Sequence, residues 1–110
     1  MSGFHLTDRA DASLKKILLY TFKTFGEAQA DAYQNAIITR LEALADGRPP
    51  HGRPCSALAG DLAPGDLLYV KEGGHFIVFH ENGGEITVID FIHQRRDLPT
   101  LIASLTAGET

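Results

Sequence analysis

The sequence predicts an α+β fold: an N-terminal strand, an α-helical hairpin packed on a small antiparallel β-sheet in the order β-α-α-β-β-β, and a short C-terminal helix. Three observations point to it. Two stretches with apolar residues at helical spacing meet at Gly26 and stop at the Gly/Pro-rich "DGRPPHGRP". Three runs rich in β-branched and aromatic residues follow, "LLYVK", "HFIVFH" and "EITVIDFI", separated only by "EGG" and "ENGG". Residues 1–110 have the length of one small domain with one core, which buries roughly two-thirds of the surface its unfolded form exposes.

Each element has a local reason. "GFHLT" puts Phe4 and Leu6 on one side of an extended segment, and Thr7 or Asp8 then supplies a helix cap. Leu14, Ile17, Leu18, Thr21 and Phe25 fall on one helical stripe that ends at Gly26, a residue that tolerates a left-handed turn. Tyr33, Ile37, Leu41 and Leu44 make the second stripe, and one glycine between two helices implies an αα-hairpin. His51 to Gly65 reads as loop, because Pro54, Pro64 and the glycines break every periodic pattern. Both strand separators favour tight hairpins, Asn82-Gly83 most clearly, giving a three-stranded meander whose apolar face the helices cover. Leu98, Leu101, Ile102 and Leu105 lie at helical spacing behind Asp97, so a terminal helix closes the chain.

Composition narrows the function classes. Hydrophobic residues are 44% and charged residues 22%, a folded rather than disordered balance. Fourteen acidic side chains against ten Lys and Arg give a formal charge of -4, so the molecule as a whole is not drawn to DNA or RNA backbones. Nucleic-acid contact would need a local basic patch. The lone Cys55 has no internal disulfide partner, "MSGFHLTDRA" lacks signal-peptide character, and no apolar run approaches the roughly 20 residues of a membrane span. A cytoplasmic location is expected.

The polar stretch "HQRRD" at the end of the last strand holds most of the candidate chemistry. On an ideal strand His93 shares a side with Ile89 and Phe91, and Asp90 lies with Val88 and Ile92. His93 is either an acid-base group or a hydrogen-bonded residue that fixes the following turn; Arg95 and Arg96 are either an anion clamp or solvated charges. Asp97, directly before Leu98-Pro99, is suited to accept from the free N–H groups of the last helix. His75 and His80 differ by an odd step and point to opposite faces, so they do not converge on a metal. Cys55 has no His or Asp neighbour in sequence to activate it, and the glycine pairs are turn residues rather than a phosphate loop.

The stretches "FHLTDRA", "ILLYTFKTFGEAQADAY", "LEALADGRPPHGRP", "APGDLLYVKEGGHFIVFH" and "ITVIDFIHQRRD" together resemble, in order and over most of the chain, the RelE/ParE superfamily of bacterial toxins. The "YT…FG…QA…Y" pattern and the closing "HQRRD" are more similar to the ParE-like branch. That resemblance implies the toxin of a type II toxin-antitoxin system, which inhibits DNA gyrase by protein binding and is neutralised by a cognate ParD-like antitoxin. It implies no cofactor and no metal. On this reading Arg95, Arg96 and the weaker candidate Arg53 contact the target, and Tyr20, Phe22 and Tyr33 contact the antitoxin; Phe25 joins these aromatics on the hairpin, where core packing is the ordinary explanation. A homodimer and a toxin-antitoxin hetero-oligomer both stay open.

Two departures keep alternatives in view. Family members commonly carry arginine where this chain has Leu68 and Asp90. A RelE-like enzyme that cuts messenger RNA on the ribosome without metal needs cations around the scissile phosphate together with an acid and a base. Here that set would be His93, Arg95, Arg96 and Lys71. A non-toxic scaffold that retains only antitoxin binding is the third reading.

Overall fold

The computed structural model of the chain describes residues 3–49, 51–62 and 66–107. Strand β1 (Gly3–Leu6) leads through Thr7 into α1 (Asp8–Phe25), and Gly26 joins α1 to α2 (Glu27–Ala45). Thr7 caps α1: its Oγ1 accepts from the Ala10 N–H at 3.1 Å, satisfying one of the donors that open any helix. Asp8 and Asp11 in the first turn and Lys23 in the last complement the helix dipole. At Gly26 the backbone turns with φ 98, a conformation that a Cβ disfavours, and its N–H closes α1 on the Phe22 carbonyl.

Strand β1 joins β2 (Arg53–Pro54), β3 (Leu68–Glu72), β4 (His75–Asn82) and β5 (Glu85–His93) in one sheet of five strands, in the order β1-β5-β4-β3-β2. The central strands β3, β4 and β5 match the runs in the sequence, all antiparallel neighbours. The sheet is mixed rather than purely antiparallel, because β1 joins the outer edge of β5 in parallel, Gly3 opposite Glu85 through Leu6 opposite Val88. The helical hairpin and the strands up to β4 lie between β1 and its partner, far more chain than the crossover a parallel pair requires. In the β4–β5 turn Asn82 is still paired with Glu85, so the central residues are Gly83 and Gly84 rather than Asn82-Gly83. Their φ values of 60 and 88 fit a primed turn that glycines adopt without strain.

The segment His51–Gly65, which reads as loop, contains structure that periodicity does not reveal. Its described part holds β2 (Arg53–Pro54) paired with β3, α3 (Ser56–Ala59) and a 3-10 turn over Gly60–Leu62. Elements of two to four residues are too short to repeat, and contacts made far along the chain hold them. Cys55 is fully buried and its N–H donates to the Leu67 carbonyl at 3.0 Å.

The sheet separates two hydrophobic clusters. On one face α1 and α2 cover Val70, Ile77, Phe79, Ile86, Val88 and Phe91 with Ala10, Ile37, Leu41 and Leu44. On the other, Tyr69, Val78, Ile89 and Ile92 pack against Cys55, Ala59 and, from α4 (Leu98–Ala107), Ile102 and Leu105. Asp97 caps α4 through Thr100, with Oδ2 accepting from the threonine hydroxyl at 2.9 Å.

A bulge in β5 alters the predicted alternation. Val78 lies opposite Asp90 while Phe79 lies opposite Val88, leaving Ile89 as an extra residue. Val88 and Phe91 therefore face the helical hairpin, and Ile89 and Ile92 face α4. The parity that groups Ile89 with Phe91 and His93, and Val88 with Ile92, fails for this reason. Phe25 also departs from the inner stripe of α1. It is 63% exposed because an open trough, not a filled core, lies beneath the last turn of the helix.

Candidate functional site

β1 stops opposite Val88, so the second half of β5 has an uncovered edge with α1 on one side and α4 on the other. A cavity of about 310 Å3 lies along that edge, lined by Arg9, Ser13, Lys16, Asp90, His93, Arg96 and residues of α4. A second, of about 550 Å3, lies under the tip of the hairpin, between Ile17, Tyr20, Thr21, Phe25 and Tyr33 above and Gly74, His75 and His93 below. Lys16, Ile17, His75 and His93 line both, so the two form one trough with a basic half and an apolar half.

Its floor is a short polar chain. The Tyr33 hydroxyl lies 2.7 Å from the Glu72 carbonyl and 2.7 Å from His75 Nδ1. A carbonyl only accepts, so the single hydroxyl proton goes to Glu72 and His75 Nδ1 carries the proton donated back to Tyr33. Neutral His75 thus has a bare Nε2. Burial, and secondarily the neighbouring His93, hold the His75 pKa below its ordinary value, which favours that neutral form. Burial, reinforced by the Glu72 carboxylate, pushes the Tyr33 phenol up to about 12, so it remains a donor. Strand register sets His75 opposite His93, with their rings edge to face at 5.1 Å. Gly73 makes the arrangement possible, since a Cβ there would sit 2.8 Å from the Tyr33 ring.

The two departures from the family pattern are both absorbed into structure. Leu68 is half-buried and packs against the hairpin-side cluster. Asp90 Oδ1 accepts from Ser13 at 2.6 Å and from the Phe91 N–H at 2.8 Å, tying β5 to α1 and occupying an edge donor that β1 does not reach.

The other sequence candidates distribute unevenly. Arg95 and Arg96 are exposed in the turn after β5, where Arg96 lines the trough and the Arg95 N–H donates to His93 Nδ1 at 3.1 Å. Arg53 sits on β2, with β3 and β4 between it and β5. Lys71 is in register with Phe76 and Ile92, one row away from the row of Glu72, His75 and His93, so its side chain leaves the opposite face of the sheet from His93. Tyr20 is 64% exposed and, with Tyr33, lines the apolar half. Phe22 is 50% exposed, but two residues along a helix is a rotation of about 200°, so it looks out on the other flank of α1. His80 lies 3.3 Å from Asp66, on the other side of β4 from His75. Among the described residues no three His, Cys, Asp or Glu side chains are grouped to hold a metal ion. Burial raises the Cys55 thiol to about 11, which keeps it a core residue rather than a nucleophile.

Sequence reasoning missed Arg9, Ser13 and Lys16. With Tyr20 they recur at i, i+4, i+7 and i+11, a polar stripe beside the apolar one, and that spacing was the available signal.

The chain matches the family model described as the ParE toxin of type II toxin-antitoxin system, parDE, over residues 4–98. None of the curated proteins matches it. Among solved structures, a chain of the chromosomal ParDE TA system from P. aeruginosa is similar in fold, with a TM-score of 0.63 at 18% identity, over 84% of this chain and 96% of that one.

Proposed function

The chain belongs to the ParE toxin family of type II toxin-antitoxin systems, and from that premise we propose that it inhibits DNA gyrase by binding protein and is silenced by a cognate ParD-like antitoxin. The family match across residues 4–98 carries this reading. Surface chemistry supports it. Arg95 and Arg96 stand exposed at one end of the trough, suited to acidic groups on a target, and Tyr20 and Tyr33 offer the antitoxin an apolar wall. An antitoxin that also reaches Phe22 must wrap around α1. Among the described residues no helix is long and apolar enough to cross a membrane, in keeping with a target and a partner in the cytoplasm.

Cleavage of messenger RNA in the RelE manner is less well supported. His93, Arg95 and Arg96 share one end of β5, but Lys71 projects from the other sheet face, so the cations do not surround one phosphate. Supercoiling by purified gyrase, with and without the full chain, tests the proposal directly. Inhibition that added antitoxin relieves is the expected result; unaltered supercoiling together with mapped cuts in ribosome-bound transcripts overturns it.

One observation favours a second reading, a non-toxic antitoxin-binding scaffold. The positions where family members commonly carry arginine hold Leu68, half-buried against the hairpin-side cluster, and Asp90, bonded to Ser13. Growth unaffected by expression without the antitoxin would establish that reading over gyrase inhibition.

A further inference from the structure

The charges that line the trough do not balance. Arg9, Lys16 and Arg96 face the cavity at the open edge of β5, and none of them has an ion-pair partner among the described residues. The one carboxylate beside them is that of Asp90, whose Oδ1 already accepts from the Ser13 hydroxyl and the Phe91 N–H. Three cations against one acid leave a surplus of about two positive charges, on a protein whose formal charge is -4. The adjoining half is apolar, walled by Ile17, Tyr20 and Phe25. Both cavities, about 310 and about 550 Å3, have the size of small-molecule sites, roughly 300–1,000 Å3.

Where the halves meet, two histidines offer opposite hydrogen-bonding groups. His75 gives its Nδ1 proton to Tyr33, which leaves Nε2 as an acceptor; that nitrogen has no partner among the described residues and is not closed off from solvent. His93 Nδ1 accepts from the Arg95 N–H, so in the neutral ring Nε2 carries the proton and donates. An acceptor next to a donor suits a hydroxyl, which gives one hydrogen bond and takes another.

We propose that the trough binds a nucleoside monophosphate, its phosphate held by Arg9, Lys16 and Arg96, its base against Tyr20 and Phe25, and a ribose hydroxyl between His75 and His93. A phosphomonoester carries about -1.5 to -2 charges near neutral pH, which matches the surplus in the cavity. A nucleic-acid strand presents the same groups but repeats its phosphates, and it needs positive charge along its whole track. Beyond Lys16 the apolar half is lined by no Lys or Arg, so the trough answers to one phosphate rather than to a row of them. The site belongs to the free chain and stands independently of gyrase inhibition.

Titration calorimetry of the full chain at low salt, with adenosine 5′-monophosphate, adenosine and inorganic phosphate as probes, tests the assignment. The nucleotide binds at least about tenfold more tightly than adenosine or phosphate, because only it engages both halves. Lys16→Gln and Arg96→Gln each weaken it about fivefold, and the loss shrinks in ~0.5 M NaCl, where screening is short-ranged. Tyr20→Ala weakens it about tenfold at either salt concentration, since stacking is not screened. Lys15→Gln removes a cation that already pairs with Asp11, about 100° round the helix from Lys16, and changes affinity less than about twofold. All four positions are exposed, and thermal melts establish that the variants fold.

A nucleotide that binds no more tightly than adenosine overturns the inference, as do equal losses for Lys15→Gln and Lys16→Gln. So does the absence of both heat and amide chemical-shift change with the nucleotide at ~5 mM, well above the millimolar affinities of the weakest specific sites. Tighter binding of a 5′-phosphorylated RNA of about ten nucleotides than of the monophosphate would assign the trough to a strand instead, and overturns it too.

Discussion

The two faces of the sheet bury similar side chains under very different covers. On one, two long helices lay down a repeating stripe of Ala10, Ile37, Leu41 and Leu44. On the other, a buried cysteine, the single turn of α3 and the ten residues of α4 do the same work piecewise. The faces also differ in polarity. The hairpin side ends in the chain of Tyr33, His75 and His93, while the cluster under α4 holds no histidine. The difference leads to an expectation: the hairpin unfolds together with the sheet, whereas α4 can undock from it.

Core truncations should expose this most strongly. Phe79→Ala leaves a cavity under both long helices, and a loss of about 3–5 kcal/mol is expected in urea denaturation, with the m-value unchanged. Leu105→Ala removes a buried side chain as well, but α4 has a cheaper escape: it can undock while the sheet and hairpin stay folded. Its effect should therefore be smaller, with a reduced m-value and fast amide exchange confined to Leu98–Ala107. Equal, fully cooperative losses from the two substitutions would erase the distinction between the covers.

Thr7 is where the hairpin cover is fastened to β5. Its hydroxyl receives the Ala10 N–H and donates to the Ile89 carbonyl that the bulge turns outward. Thr7→Ala loses the cap and strands an acceptor, so a loss of about 1–2 kcal/mol is expected, and Thr7→Ser should recover most of it. A null result would mean that the hairpin is held by its apolar stripe alone.

How far the sequence was legible follows the same division. The cover with a period could be read: Thr7 as cap, Gly26 as hinge and the three strand runs all appear in the predicted order. The cover without one could not, because Arg53–Pro54 and Ser56–Ala59 are shorter than any repeat. The bulge was hidden for a related reason. A one-residue insertion leaves no compositional mark, yet it reverses every side chain beyond it, which is why parity misplaced Ile89. For the site, "HQRRD" lies at the end of β5 that borders the trough. The trough's other wall comes from α1, some eighty residues earlier in the chain, and only the fold brings Lys16 to His93.

The smallest expected effect concerns the polar end of the hairpin face. His75 has a folded-state pKa below its ordinary 6.5, chiefly through burial and then through His93. As pH falls below about 6.5 the unfolded chain takes up a proton at this position while the folded chain still refuses it. The unfolded state then binds more protons, so stability rises with pH across that window: it is fully present above the unfolded value and is lost progressively as pH drops toward the folded one. Urea midpoints for the parent chain should therefore fall between pH 7.5 and 5.5 by more than those of His75→Gln, a comparison that subtracts the other histidines. Amide exchange should quicken at the Glu72–His75 turn and leave α4 unchanged, because the cluster beneath α4 contains no group that titrates in this range. Parallel midpoints for the two proteins, or an acid response centred on α4, would show that the polar chain under the hairpin is not what distinguishes the two faces.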